Sequence, residues 1–167
     1  VLILLALTVA APAAAQSPHL EVLGQIGGAC RAVETHGNYT YVGEGYFLTI
    51  LDISDPSQPS PVGRVRLPVS VGDMDIDDGL VFVTSEVSFI SDVGAVPESL
   101  LQIVDVSNPV GPRLAGSYRM TGTGLQVSAD QGLACVVAGD LKTFDVSDPF
   151  APRLLSSYST GLAANQC

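Results

Sequence analysis

The chain has no tryptophan, two methionines and only seven basic residues in 167. Against 17 acidic residues this leaves a formal net charge of −10. A nucleic-acid binder is excluded, because holding a phosphate backbone needs clustered Lys and Arg. Cysteines number three, Cys30, Cys135 and Cys167, and their spacing matches no zinc pattern. There is no P-loop, no G-x-G-x-x-G after a strand and no G-x-S-x-G. The two histidines, His19 and His36, stand in no nucleophile motif, so no catalytic residue and no organic cofactor is assigned. Charged residues make up only 14%. The 47% of hydrophobic residues nevertheless excludes a disordered chain. Glycine is frequent without recurring at every third residue, which excludes collagen.

What is present begins with an uncharged run, residues 1–15, ending Ala13-Ala14-Ala15 before Gln16. It is shorter than the ~20 residues that span a bilayer and ends in a small-x-small cleavage pattern. The expectation is a secretory signal peptide cut after Ala15, with 16–23 as a linker. The mature chain is then exported, as a secreted, cell-surface or periplasmic protein without a transmembrane segment. No basic stretch precedes the apolar run, consistent with a truncated N-terminus or a literally translated GTG start. An exported chain can pair two cysteines. Cys135, in the apolar run Leu133–Val137, reads equally well as a buried free thiol, and no disulfide is assigned.

Self-similarity is the strongest signal. Leu51-Asp52-Ile53-Ser54-Asp55-Pro56-Ser57-Gln58-Pro59 recurs as Val104-Asp105-Val106-Ser107-Asn108-Pro109-Val110-Gly111-Pro112. It recurs again as Phe144-Asp145-Val146-Ser147-Asp148-Pro149-Phe150-Ala151-Pro152. Eleven residues after each Asp stands a small residue, Gly63, Gly116 or Ser156, and an equivalent Gly24 opens the first unit. The period is near 40 residues, with one insertion over about Glu86–Ser99 whose Ser, Asp, Gly and Pro predict a surface loop. Four short strands fit in each unit, with turns at Gly37-Asn38, Asp78-Gly79 and Gln131-Gly132. The period predicts an all-β fold, a β-propeller of four-stranded blades. The units are 24–62, 63–115 and 116–155, with 156–167 starting a further repeat. Three blades do not close a ring. The expectation is therefore either a longer chain supplying the remaining blades or self-association.

These motifs resemble the LVIVD repeat, named for strands such as Leu101-Gln102-Ile103-Val104-Asp105. The resemblance spans about residues 24–158 and implies exported or surface proteins of bacteria and archaea built as β-propellers. It carries no settled activity and no catalytic residue.

The repeated Asp is expected to close an Asx-turn with the following Ser, and the two prolines to hold a blade corner outside the sheet. Asp73, Asp75 and Asp77, at alternate positions, share one face of a strand and are the candidate metal ligands, for calcium. A solvated strand face is the competing explanation. The functional expectation is a non-enzymatic scaffold that presents loops for a protein or glycan ligand; the insertion, with Val87, Phe89, Ile90 and Val93, is either a binding loop or a loop folded onto its own blade. The alternative is part of an exported enzyme whose active site lies in missing blades or a fused domain.

Overall fold

The computed structural model describes residues 30–91 and 94–159. The expected signal peptide, the linker with His19, Gly24, Cys167 and the further repeat after Ser159 lie outside the described residues. Twelve strands form three sheets of four, each antiparallel and in sequence order. The first sheet holds β1 (Ala32–His36), β2 (Tyr39–Glu44), β3 (Phe47–Asp52) and β4 (Ser60–Arg66). The second holds β5 (Asp73–Asp77), β6 (Leu80–Ser91), β7 (Gly94–Asp105) and β8 (Arg113–Thr121). The third holds β9 (Gly124–Asp130), β10 (Leu133–Ala138), β11 (Asp140–Asp145) and β12 (Arg153–Tyr158). Each sheet is one propeller-type blade. The blades stack face to face with β1, β5 and β9 adjacent, and the described residues form no closed ring. The repeat boundaries drawn at 63, 116 and 156 fall inside the outer strands β4, β8 and β12.

Local chemistry explains the hairpins. The first two strands of each sheet are joined by two residues, His36 pairing Tyr39, Asp77 pairing Leu80 and Asp130 pairing Leu133. Asp78 and Gln131 have φ of 43° and 51°, followed by Gly79 and Gly132 at 73° and 78°. Two successive positive φ values make the tight turn whose twist matches the strands it joins.

The core lies between sheets, where alternate residues of each strand face opposite neighbours. Tyr41, Leu48 and Ile50 of the first sheet meet Met74, Val81, Val83 and Val104 of the second. On the second sheet's other face, Phe82, Leu101 and Ile103 meet Val127, Ala134, Val136 and Phe144 of the third. The middle sheet is therefore apolar on both faces. In the third sheet, Leu133, Val137 and Leu141 are 53%, 37% and 36% exposed.

One expectation is corrected. Residues 86–91 and 94–99 are strand rather than loop: β6 and β7 continue pairing from Leu80↔Asp105 to Ser91↔Gly94. Each strand has 12 residues, against six in their counterparts β2, β3, β10 and β11. Ser85, Ser88, Ser91, Gly94, Pro97 and Ser99 all sit within the two strands. Cys135 is a second correction: the thiol is exposed, not buried, because its side of β10 has no sheet packed on it among the described residues.

Candidate functional site

The repeated Asp behaves as the sequence predicts. Asp52 Oδ1 accepts the backbone N–H of Ser54 at 2.8 Å and its hydroxyl at 2.6 Å. Asp105 does the same with Ser107 at 3.0 and 2.6 Å, and Asp145 with Ser147 at 3.1 and 2.5 Å. In the second and third sheets the other oxygen also takes an arginine, Arg113 at 2.7 Å from Asp105 and Arg153 at 2.6 Å from Asp145. The Ser147 hydroxyl, then Arg153, then the Ser147 backbone N–H lower the Asp145 pKa to about 2. All these bonds go to the ionised carboxylate.

The small residue eleven places further on has a role that spacing alone does not reveal. A Cβ on Gly63 would lie 2.0 Å from the carbonyl oxygen of Pro109 and 3.0 Å from Pro112 Cδ. A Cβ on Gly116 would lie 2.2 Å from the Pro149 oxygen and 3.2 Å from Pro152 Cδ. Each glycine is the socket in which the proline corner of the next sheet sits, and no side chain fits there. In all three outer strands a register shift adjoins this residue, where Ile50 pairs Gly63, Ile103 pairs Gly116 and Thr143 pairs Ser156.

Asp73, Asp75 and Asp77 do lie together on β5. Each reaches the next sheet: Asp73 Oδ2 accepts the Val127 N–H at 3.0 Å, Asp75 Oδ2 that of Ala129 at 2.7 Å, and Asp77 Oδ2 that of Gln131 at 2.8 Å. Asp75 Oδ1 also accepts the Ile76 N–H at 2.8 Å. Strand β9 is the edge of its sheet, and edge N–H groups recur at every second residue. The carboxylates recur with the same period, so Asp73 and Asp75 cap two edge donors of β9 and Asp77 caps the first N–H of the turn that follows. Among the described residues, no group of three or more His, Cys, Asp or Glu side chains is placed to hold one metal ion. Strand geometry separates residues i and i+2 by roughly 6.5–7 Å, wide for ligands converging on one ion.

A third repeated contact went unseen in the sequence. Thr49, Gln102 and Lys142 occupy the same place in the third strand of each sheet, and all three are buried. Each bonds to the same position of the second strand: Thr49 to Glu44 at 3.1 Å, Gln102 to Ser85 at 3.0 Å and Lys142 to the Ala138 carbonyl at 2.9 Å. The chemistry changes from hydroxyl to amide to ammonium, so residue type alone gives no signal of the equivalence.

Two open clefts flank these contacts. One, of about 540 Å³, is lined by His36, Asp77, Asp78, Gly79, Gln131 and Gly132, at the turns of the three innermost hairpins. The other, of about 580 Å³, includes Glu44, Leu51, Pro61, Arg64 and Val110 beside the first socket. His36 is exposed at the rim of the first, with no Ser or Cys beside it among that cleft's lining residues.

Stacked four-stranded blades, joined by proline corners in glycine sockets, define a repeat scaffold of the propeller type. The LVIVD repeat matches residues 27–66, 95–120 and 122–160. The chain belongs to the LVIVD repeat family. No curated protein gives a significant match. Among solved structures, the chain is similar to the computationally designed Ika4 protein, at 11% identity and a TM-score of 0.58 over 84% of this chain and 79% of that one. A functionally unknown protein from Desulfotomaculum acetoxidans DSM 771 is similar at 12% identity and a TM-score of 0.40, over 83% of this chain and 58% of that one. The likeness to Ika4 is one of fold. No helix of the described residues is long and apolar enough to cross a membrane.

Proposed function

We propose that the chain is an exported, non-enzymatic scaffold that binds a protein or glycan ligand at the cell surface, with the long β6–β7 hairpin as its binding element. The observation that carries this reading is the doubled length of β6 and β7 relative to their counterparts. Phe82, Val83, Leu101 and Ile103, buried between the sheets, all lie in the inner half of that hairpin. The outer half continues the ladder from Glu86↔Ser99 to Ser91↔Gly94, and a long hairpin on a repeat scaffold suits presentation to a partner. The uncharged run 1–15 and the small residues before Gln16 support export.

The test compares the intact chain with a variant in which residues 86–99 are replaced by a two-residue turn. Both are applied to a glycan array and to whole bacterial cells. The intact chain is expected to bind and the shortened one to lose at least tenfold in affinity at an unchanged melting temperature. Equal binding by both, or none by the intact chain, overturns the reading. Calcium held by Asp73, Asp75 and Asp77 is measured in the same samples. A calcium-dependent rise in melting temperature, lost in D75N, would move the function toward cation-dependent adhesion.

A further inference from the structure

The β6–β7 hairpin outruns both of its neighbours, and its two edges end differently. Strand β5 pairs β6 as far as Asp73↔Thr84, and β8 pairs β7 as far as Glu98↔Thr121. Among the described residues no strand pairs the edge of β6 from Glu86 to Ser91. We propose that this edge pairs with the same edge of a second copy, antiparallel about a two-fold axis at Phe89, so that two hairpins join into one four-stranded ladder.

Backbone direction identifies the groups that pair. In an antiparallel ladder the N–H and carbonyl of a residue turn to the same side, and the side alternates along the strand. The Gly72 N–H reaches the Thr84 carbonyl at 2.8 Å, so the Thr84 backbone faces away from β7. Glu86, Ser88 and Ile90 follow at two-residue steps and face the same way. Strand β7 agrees: Pro97 pairs Ser88, and its carbonyl turns away from β6 to accept the Gly122 N–H at 2.9 Å. The β7 edge is closed by this bond and by Pro97, which has no N–H. The β6 edge has neither device, and residues 86–91 contain no Pro and no Lys. Native edges are ordinarily blunted by such residues, and an unblunted one is a template for a further strand.

A second copy fits because an antiparallel edge is self-complementary. Room along the edge sets the register. Strand β5 occupies it up to Thr84, so the turn of the second hairpin has to stop short of that point. Setting Phe89 opposite Phe89 brings Ser91 of the second copy opposite Val87 and leaves that room. Ser88 then exchanges both backbone hydrogen bonds with Ile90 of the second copy, and Ile90 does so with its Ser88. The central pair is aromatic on aromatic, a favourable cross-strand pairing. Each copy carries a net charge of −10, and Glu86 is the charged residue of residues 86–91, so the contact is weak at low salt. The proposal shares the hairpin with the scaffold reading but rests on no ligand.

The full chain is followed by sedimentation equilibrium from micromolar to millimolar concentration, without added ligand. A monomer–dimer equilibrium is expected. S88P removes one outward N–H from each copy and spares the β6–β7 ladder, so the dissociation constant is expected to rise at least about tenfold. A95P removes an outward N–H from the opposite edge of the same hairpin and is expected to leave the dimer unchanged. E86Q, or added salt, is expected to tighten it. Amide exchange needs no variant and reads the register: the Ser88 and Ile90 amides should slow in the dimer and that of Ala95 should not. A chain that stays monomeric, a dimer indifferent to S88P, one lost equally with A95P, or one weakened by E86Q would overturn the proposal. None of these measurements involves a glycan or a cell, so their failure is distinct from failure of the scaffold reading.

Discussion

The two junctions between sheets are built from the same parts but finished differently. Both bury an apolar layer, and both seat a proline corner on a glycine. Only the junction between the second and third sheets adds side-chain bonds along the inner strands, from Asp73, Asp75 and Asp77 to β9. At the first junction the same positions of β1 hold Ala32, Glu34 and His36, and among the described residues no such bond joins β1 to β5. Ala32 has no acceptor, and Glu34 carries an extra methylene that changes its reach. The apolar layer and the corner are thus the common requirement of stacking, and the carboxylate clasp is an addition to one junction.

The largest effect should come from the shared part. Phe82 is 2% exposed between the second and third sheets. F82A is expected to cost about 3–5 kcal/mol in chemical denaturation. Loss of less than 1 kcal/mol would show that the second junction does not depend on its apolar layer. Next comes the socket. G116A places a Cβ where the Pro149 oxygen now lies, and overpacking of this kind costs about 1–3 kcal/mol. G63A should cost a similar amount, since the approach there is as close. A large difference between the two would break the view that the corners are equivalent.

The clasp separates the junctions. D75A leaves the Ala129 N–H without its acceptor and is expected to destabilise by about 1 kcal/mol, the low end for an unpaired donor that water can partly reach. E34A, at the matching position of the first junction, should change stability by no more than about 0.5 kcal/mol. Thermal unfolding of the two variants side by side reads the contrast directly. Equal losses would mean that the clasp adds nothing beyond what a polar strand face supplies.

Much of this was legible in the residues because short-range chemistry sets it. The turns at Asp78-Gly79 and Gln131-Gly132 and the Asp-to-Ser bonds of each corner depend on neighbours within a few positions. What was not legible depends on partners far along the chain. The acceptor role of Asp73, Asp75 and Asp77 was hidden because it involves N–H groups 54 residues away. Gly63 and Gly116 stood out by period, yet only the stacked sheets show that a proline carbonyl fills the space beside them. Cys135 sits in a run as apolar as its buried counterparts, and its exposure follows from which sheet comes last among the described residues. The extended β6–β7 ladder was misread because Ser, Gly and Pro mark loops by local preference, whereas the pairing of Glu86 to Ser91 with Gly94 to Ser99 is set by the facing strand.

The smallest expected effect concerns the corners, and it distinguishes the third from the first. Asp145 is bonded by Ser147 and by Arg153, which lowers its pKa to about 2. Asp52 has the Ser54 hydroxyl and backbone N–H, which lower its pKa too; Ser60 stands where the arginine would be, eight residues on. A carboxylate whose folded pKa is depressed adds stability that is fully present above its unfolded value, near 3.9. That stability is lost as pH falls through the folded value. For Asp145 the loss therefore runs from about pH 4 down to about pH 2. R153Q removes one of the two side-chain donors, so its difference from the parent in melting temperature should be seen at pH 5–7 and shrink below pH 3. Salt should also reduce it, because the arginine is exposed and the pair is screened. A difference that stayed constant from pH 7 to pH 2 would show that Arg153 stabilises the corner by packing rather than by charge.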